Sequence, residues 1–318
     1  METVLVAGGA GFIGSHLCKR LLRDGHRVIC VDNLLTGAEK NIEELKSNSS
    51  FSFLKSDVIA PLAITTPITA IFHLASPASP NHHSKISYHS LPMETMMVNS
   101  TGTLELLKLA EKNKAKFLFA STSEIYGDPL VHPQSEEYRG NVSTIGPRSI
   151  YDEAKRFGET LVAYFWREKG VDARIARIFN TYGPNMHKDD LRMIAQFIMQ
   201  ALKNEPITIF GDGKQTRSLC YVDDMVDGLV KLMFTPGTAK EVVNLGNPQE
   251  YTVLEYAEMT KKLTHSQSEI VFSENLPQDD PKQRRPDIMK AHTLLSWSPS
   301  ITLEEGLEKL INYFKPLM

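Results

Sequence analysis

The chain has 318 residues, of which 42% are hydrophobic and 23% charged, as in an ordinary globular protein. Its net charge of −3 gives no reason to expect a nucleic-acid or membrane partner, no apolar run is long enough to span a bilayer, and we expect no signal peptide. The three cysteines are scattered without a CxxC pair, which argues against disulfides and structural zinc and favours a reducing cytoplasm.

The first 180 residues alternate short strands of buried type with helical stretches. In chain order, strands are predicted at 4–7, 27–31, 51–54, 70–75, 116–120 and 173–178, and helices after residue 14 and at 93–113 and 151–169. This alternation implies βαβ units, and hence a parallel sheet that is covered on both faces. The chain is therefore expected to have an α/β fold.

The alternation loosens after about Asn180. Helices are predicted near 191–203 and 303–314, and a late strand at 242–245 could return to the main sheet. We expect a first domain over residues 1–180, joined by the strand near 242–246, and a smaller second domain mainly over 181–318.

A glycine-rich turn follows the first strand and precedes a helix, with glycines at positions 8, 11 and 14. Glycine lets the backbone turn tightly and approach a pyrophosphate, whose charge then lies at the helix N-terminus. Asp32 closes the second strand, where an acidic side chain can hold ribose hydroxyls. A carboxylate there repels a 2′-phosphate, and Asn33-Leu34-Leu35 supplies no arginine, so the sequence predicts NAD rather than NADP.

Tyr151 and Lys155 are four residues apart, so a helix would place them one turn apart on the same face. Tyrosine, with a pKa of roughly 10, is a poor base near neutrality, but a nearby ammonium favours the phenolate. The pair is then a plausible acceptor of a proton from a sugar hydroxyl. Tyr-x-x-x-Lys occurs by chance on many surface helices, but here it follows an N-terminal glycine-rich turn.

The glycine spacing together with Tyr151 and Lys155 resembles the extended short-chain dehydrogenase/reductase family, whose members rework nucleotide sugars. The resemblance covers essentially the whole chain. It implies a Rossmann-type doubly wound parallel sheet with a smaller C-terminal substrate-binding domain, bound NAD, and a homodimer formed through the helices near 93–113 and 151–169. The residues expected to bind the cofactor are Gly8, Gly11, Phe12, Ile13, Gly14, Asp32, Asn33, Asp57, Val58, Ala75, Tyr151 and Lys155; for Asp57 and Val58 a simple strand-ending turn explains the pattern equally well.

Residues 120–127 follow the fifth strand, at the sheet edge where ligands bind. The resemblance implies that a hydroxyl residue of this segment joins the Tyr-Lys pair around the sugar O4. Thr122 or Ser123 could fill that role, or could only cap the next turn. Glu124 is useful if C5 chemistry follows C4 oxidation and superfluous for a simple C4 epimerase; its plain alternative is a surface glutamate.

Longer segments narrow the resemblance to UDP-glucuronate decarboxylases: residues 73–80, 123–129, 132–134, 177–184, 279–281 and 284–288. The resemblance implies that Tyr151 takes the O4 proton while the C4 hydride passes to NAD, which is recycled in each turnover. Carbon dioxide leaves the 4-keto sugar, and protonation at C5 then leads to UDP-xylose. Glu124 and Arg284 serve these later steps, whereas the adjacent Arg285 should point to solvent.

The resemblance implies that the UDP part of the substrate contacts Asn180, Arg192, Gln215 and Arg217. Arginine suits bidentate diphosphate contacts. Residues 81–96 depart from the pattern of the resembled family. Three histidines there, His82, His83 and His89, lack supporting cysteines or carboxylates, so we expect a loop and no metal. The alternative functions are a UDP-glucuronate 4-epimerase, a related 4,6-dehydratase and a non-catalytic NAD-binding protein; the intact Tyr-Lys pair argues against the last.

Overall fold

The structure, a computed structural model, describes residues 2–187, 190, 192–273 and 283–318. The strands are β1 Thr3–Ala7, β2 Arg27–Asp32, β3 Phe51–Lys55, β4 Ala70–His73, β5 Lys116–Thr122, β6 Ala173–Ile178, β7 Thr181–Tyr182, β8 Ile207–Phe210, β9 Thr216–Arg217, β10 Cys220–Tyr221, β11 Val242–Leu245, β12 Tyr251–Thr252 and β13 Ile270–Ser273. The helices are α1 Phe12–Arg23, α2 Pro92–Met97, α3 Thr103–Asn113, α4 Ser149–Glu168, α5 Met193–Leu202, α6 Val222–Phe234, α7 Val253–Thr264, α8 Met289–Leu295 and α9 Leu303–Phe314.

Among the described residues, seven strands form a parallel sheet in the order β11-β6-β5-β4-β1-β2-β3. The order reverses between β1 and β4, and at such a point the loops that follow the two strands separate and leave a crevice. Successive side chains of β1 enter different cores: Val4 and Val6 pack on one face, and Leu5 and Ala7 on the other. Both faces are therefore buried, as the predicted parallel sheet requires.

The predicted helix at 93–113 is interrupted at its centre by a π-helical turn, Val98–Gly102, between α2 and α3. Polar side chains around this turn bond back to carbonyls of the preceding turn: Asn99 donates to the Thr95 carbonyl and Thr103 to that of Asn99, both at 2.8 Å. Such back-bonding competes with the regular helical pattern. No helix in the described part of the chain is both long and apolar enough to cross a bilayer.

Beyond residue 180 the part of the chain that the structure describes returns to the sheet once, when β11 pairs with β6. The short strands β8 and β13 pair outside that sheet, next to α5 and α7. Helices α6 and α7, which the sequence analysis did not predict, pack into the same core as β1 and α1. The second half of the chain thereby helps to cover the face of the sheet that carries Val4 and Val6.

Candidate active site

A cleft of about 420 Å³ opens at the carboxyl ends of β1, β4 and β5, within the size range of small-molecule sites. All twelve residues predicted to bind the cofactor line it, and so do Thr122, Ser123, Glu124, Asn180 and Arg192. The structure thus brings together the predicted cofactor residues, the hydroxyl segment and two of the predicted substrate residues. Gln215, Arg217 and Arg284 are not in its wall.

The glycine-rich turn is shaped for a ligand that approaches the backbone. Gly8 has a φ of +80°, and a Cβ there would lie 2.6 Å from the Ala75 backbone nitrogen. A Cβ at Gly14 would collide with the Gly8 carbonyl. Helix α1 begins directly after the turn, at Phe12, so its free N–H groups point toward the cleft. The turn therefore fits a dinucleotide pyrophosphate.

Asp32 lies where a ribose would be held. Its carboxylate accepts hydrogen bonds from the Ala10 N–H at 3.0 Å and the Leu34 N–H at 2.8 Å. Burial raises the pKa of Asp32, and these two N–H groups act against that rise. Each oxygen keeps a second lone pair for a ribose hydroxyl. The wall nearby also contains Lys40, a cation that the sequence analysis did not consider.

Tyr151 and Lys155 are both buried on α4, one turn apart as predicted. The Lys155 ammonium donates to the Ala120 carbonyl at 2.7 Å, and burial lowers its pKa to about 7. The pKa of Tyr151 is raised, chiefly by burial and then by the charge of Glu124, while a hydrogen bond with Thr122 acts in the opposite direction. Burial therefore dominates the pKa of Tyr151, and the expectation that Lys155 favours the phenolate stays a prediction.

Thr122 ends β5 and has the capping role predicted as one alternative, while its role around the sugar O4 stays a prediction. Its hydroxyl caps the 3-10 turn Ser123–Tyr126 by accepting the Glu124 N–H at 3.2 Å, and it also hydrogen-bonds to Tyr151. Ser123 is buried in the cleft wall. Glu124 is 7% exposed, so it is not a surface glutamate.

Glu124 lies in a cluster of charged side chains. One carboxylate oxygen accepts from Arg148 at 2.7 Å and from the Tyr88 hydroxyl at 3.2 Å, and the other is 3.8 Å from Arg284. Burial alone would raise the pKa of Glu124, but the two guanidinium groups hold it below its usual value. Burial and the charge of Glu124 raise the pKa of Asp152, which favours the protonated form of this neighbour. Two guanidinium groups thus lie beside the Glu124 carboxylate.

Three members of this cluster were not identified as functional from the sequence: Arg148, Asp152 and Tyr88. Arg148 and Asp152 are themselves four residues apart and flank Tyr151, so the helical spacing that revealed the Tyr-Lys pair could also have revealed them. Tyr88 lies in the segment that departs from the resembled family and carries no local signal. Only the fold brings its hydroxyl to Glu124.

The remaining predicted residues differ in placement. Arg192 lines the cleft and pairs with Asp190 at 2.7 Å. Gln215 donates to the Phe210 carbonyl and Arg217 to that of Thr216, so neither is directed into the cleft wall. The matched segment 279–281 lies outside the described residues.

Arg284 and Arg285 point in different directions. Arg284 is 5% exposed beside Glu124, whereas the side chain of Arg285 is 42% exposed and lies near Glu250. This is the alternation expected for adjacent residues in an extended segment. The Arg285 N–H donates to the Gln134 side-chain oxygen, and the Arg285 carbonyl accepts from the Gln134 N–H, both at 2.9 Å. These two bonds fix which of the adjacent arginines faces Glu124.

Comparison with protein families gives a match to the NAD dependent epimerase/dehydratase family over residues 4–246. The chain belongs to this family. The predicted Rossmann-type fold and the resemblance to short-chain dehydrogenases are therefore confirmed, and NAD is the family's cofactor.

Two curated relatives of the family match nearly the whole chain. UDP-glucuronic acid decarboxylase 1 of Xenopus tropicalis is 49% identical over 314 residues, 99% of this chain and 72% of that protein. UDP-glucuronic acid decarboxylase 1 of Arabidopsis thaliana is 48% identical over 312 residues, 98% and 69% of the two chains. Among solved structures, UDP-glucuronic acid 4-epimerase from Bacillus cereus, in complex with UDP-glucuronic acid and NAD, is 32% identical with a TM-score of 0.84, over 99% of this chain and all of the other.

Proposed function

We propose that the chain decarboxylates UDP-glucuronate to UDP-xylose and recycles NAD in each turnover. The observation that carries the proposal is the cluster of buried Glu124, buried Arg284 and partly buried Arg148 next to Tyr151. Its two guanidinium groups suit one further carboxylate besides Glu124, and UDP-glucuronate brings that carboxylate at C6. The cluster therefore suits a sugar acid better than a neutral sugar.

The chemistry follows from the positions of the side chains. The glycine-rich turn and Asp32 would hold NAD, which would supply the hydride acceptor for C4 oxidation and the hydride donor for the final reduction. Tyr151 takes the O4 proton, with the Thr122 hydroxyl bonded to its side chain and Lys155 held one turn away by the Ala120 carbonyl. The C6 carboxylate of the resulting 4-keto sugar is β to a ketone. Carbon dioxide can then leave while the electrons of the C5–C6 bond form an enolate.

The later steps belong to the cluster. The Arg148 and Arg284 guanidinium groups lie next to Glu124 but outside the cleft wall, and we assign them the orientation of the C6 carboxylate where it reaches Glu124. Once the C5–C6 bond has broken, a proton that comes from solvent adds at C5. Glu124 is the acidic side chain in the cleft wall next to Tyr151, and it is held by Arg148 at 2.7 Å. A simple C4 epimerase has no C5 step that would use this carboxylate. Asn180 and Arg192 are assigned to the UDP half, with Gln215 and Arg217 as contacts outside the cleft wall.

We also propose a homodimer formed through the helices at 92–113 and 149–168. Phe157 and Tyr164 are seven residues apart on α4, hence on one face, and they are 50% and 44% exposed. A second copy would cover these rings. A reducing cytoplasm is the proposed compartment, in keeping with three buried free cysteines.

Incubation of the protein with UDP-glucuronate and NAD tests the function. Mass spectrometry of the nucleotide sugars should show loss of carbon dioxide and a UDP-pentose without accumulation of reduced cofactor. The main rival is a UDP-glucuronate 4-epimerase, which begins with the same oxidation. A product of unchanged mass, resolved chromatographically as UDP-galacturonate, would establish that rival and refute the decarboxylase.

A further inference from the structure

The segment that departs from the resembled family folds back on itself beside the cleft. Tyr88 N–H donates to the Ser79 carbonyl at 3.1 Å, and Ser79 and Ser87 form a β-bridge. Ser79, Ser84 and Ser87 are all buried. The hydrogen bond and the β-bridge to Ser79 thereby fix the backbone at Tyr88, and the residue is fully buried.

The Tyr88 ring lies flat against the ring of Tyr151. The two centroids are 4.9 Å apart and the planes differ by 5°, an offset-stacked arrangement. Tyr151 lines the cleft, whereas Tyr88 is not part of its wall. Tyr88 therefore supports the proposed base from behind, and its stack restricts rotation of the Tyr151 ring about χ1 and χ2.

The other end of Tyr88 reaches the charged cluster. Its hydroxyl donates at 3.2 Å to the same Glu124 oxygen that accepts from Arg148. Burial raises the pKa of Tyr88 well above the usual value for tyrosine, so the phenol stays protonated and remains a donor. One side chain thus contacts both the residue assigned to C4 oxidation and the carboxylate assigned to the later steps.

We propose that Tyr88 is a positioning residue whose ring holds Tyr151 for oxidation and whose hydroxyl holds Glu124 for decarboxylation and C5 protonation. This inference rests on the proposed function and assigns a role to one residue of the segment 81–96. Because the two contacts use different parts of the side chain, two substitutions can separate them. Tyr88→Phe removes the hydroxyl and keeps the stack, and Tyr88→Leu removes both.

Tyr138→Phe is a matched control. The Tyr138 ring also stacks on a tyrosine, Tyr126, at 6.0 Å, but it does not line the cleft. Its hydroxyl is also hydrogen-bonded, here as the acceptor of the Leu130 N–H at 3.0 Å. Each variant is mixed with UDP-glucuronate and NAD and quenched over time. Mass spectrometry then measures the ratio of 4-keto sugars to UDP-xylose, while absorbance follows the reduced cofactor.

Tyr88→Phe should form reduced cofactor at close to the wild-type rate but convert the 4-keto sugar about tenfold more slowly, since one hydrogen bond to a charged group is lost. 4-Keto sugar and reduced cofactor should accumulate together. Tyr88→Leu should also slow the first oxidation, and Tyr138→Phe should match the wild type. UDP binding by calorimetry should be unchanged in Tyr88→Phe, which separates positioning from a general structural effect.

An unchanged product ratio in Tyr88→Phe, or equal slowing of both stages, would overturn the role of Tyr88 while leaving the decarboxylase intact. If the wild-type protein makes no UDP-xylose, both proposals fall. Should Tyr88→Leu fail to fold, Tyr88→Phe still decides, because it preserves the packed ring.

Discussion

Alanine substitutions of the adjacent residues Arg284 and Arg285 should have very different effects on activity. Replacing Arg284 by alanine removes a buried guanidinium that is 3.8 Å from Glu124. A charge-assisted hydrogen bond to the substrate carboxylate contributes about 1.5–3 kcal/mol, so decarboxylation should slow by about 10- to 150-fold. The free energy of unfolding should fall by about 3 kcal/mol at most, the lower end of the range for a broken buried ion pair. The loss is limited because Arg148 still pairs with Glu124 at 2.7 Å.

Replacing Arg285 by alanine removes a side chain that is 42% exposed and 3.8 Å from Glu250. An exposed pair contributes about 0–1 kcal/mol, so activity should stay within about fivefold of the wild type. UDP-xylose formation under saturating substrate gives the rates, and urea unfolding of each variant gives the stability. An inactive Arg285→Ala together with an active Arg284→Ala would refute the claim that Arg284, and not Arg285, faces the substrate.

Three further predictions concern the cofactor, the base and the lysine. Because Asp32 disfavours a 2′-phosphate, calorimetry should show NAD bound far more tightly than NADP, also in Lys40→Ala; equal affinities would contradict this. Tyr151→Phe should slow C4 oxidation by about 10²–10⁴-fold in single-turnover absorbance with UDP binding nearly intact, and a wild-type rate would remove Tyr151 from the mechanism. Burial lowers the pKa of Lys155 from 10.5 in the unfolded chain to about 7 in the folded protein. Between pH 7 and 10.5 the unfolded chain therefore binds more protons than the folded one. The unfolding free energy of the wild type relative to Lys155→Met should therefore rise with pH across that window; a flat difference in urea titrations would contradict the lowered pKa.

Local signals predicted the part of the site that the first strand, the glycine turn and α4 supply. A positive φ at Gly8 and the close approach of Gly14 to it are backbone requirements that the residue types reveal directly. The four-residue spacing of Tyr151 and Lys155 likewise needs only a helix. Their electrostatics could not be predicted in the same way, because the extent of burial, which raises the pKa of Tyr151, depends on the whole fold.

Helix α6 illustrates why other elements were missed. Nine of its residues are buried, and its polar side is only the narrow stripe of Asp223, Asp227 and Lys231, a weak signal within a mostly apolar segment. Its buried Asp224 is satisfied by Ser300 and by the Ile301 N–H, contacts far along the chain. Tyr88 was missed for the same physical reason, since its two partners are brought to it by tertiary structure alone.

The most direct test of the decarboxylase assignment is turnover of UDP-glucuronate in deuterated water, followed by NMR of the product. Loss of C6 as carbon dioxide and protonation of the enolate by solvent-exchangeable groups should give UDP-xylose with one deuterium at C5. The C4 hydrogen should be the substrate's own, because the hydride is returned within the turnover. UDP-galacturonate without deuterium at C5, or no conversion at all, would contradict the account.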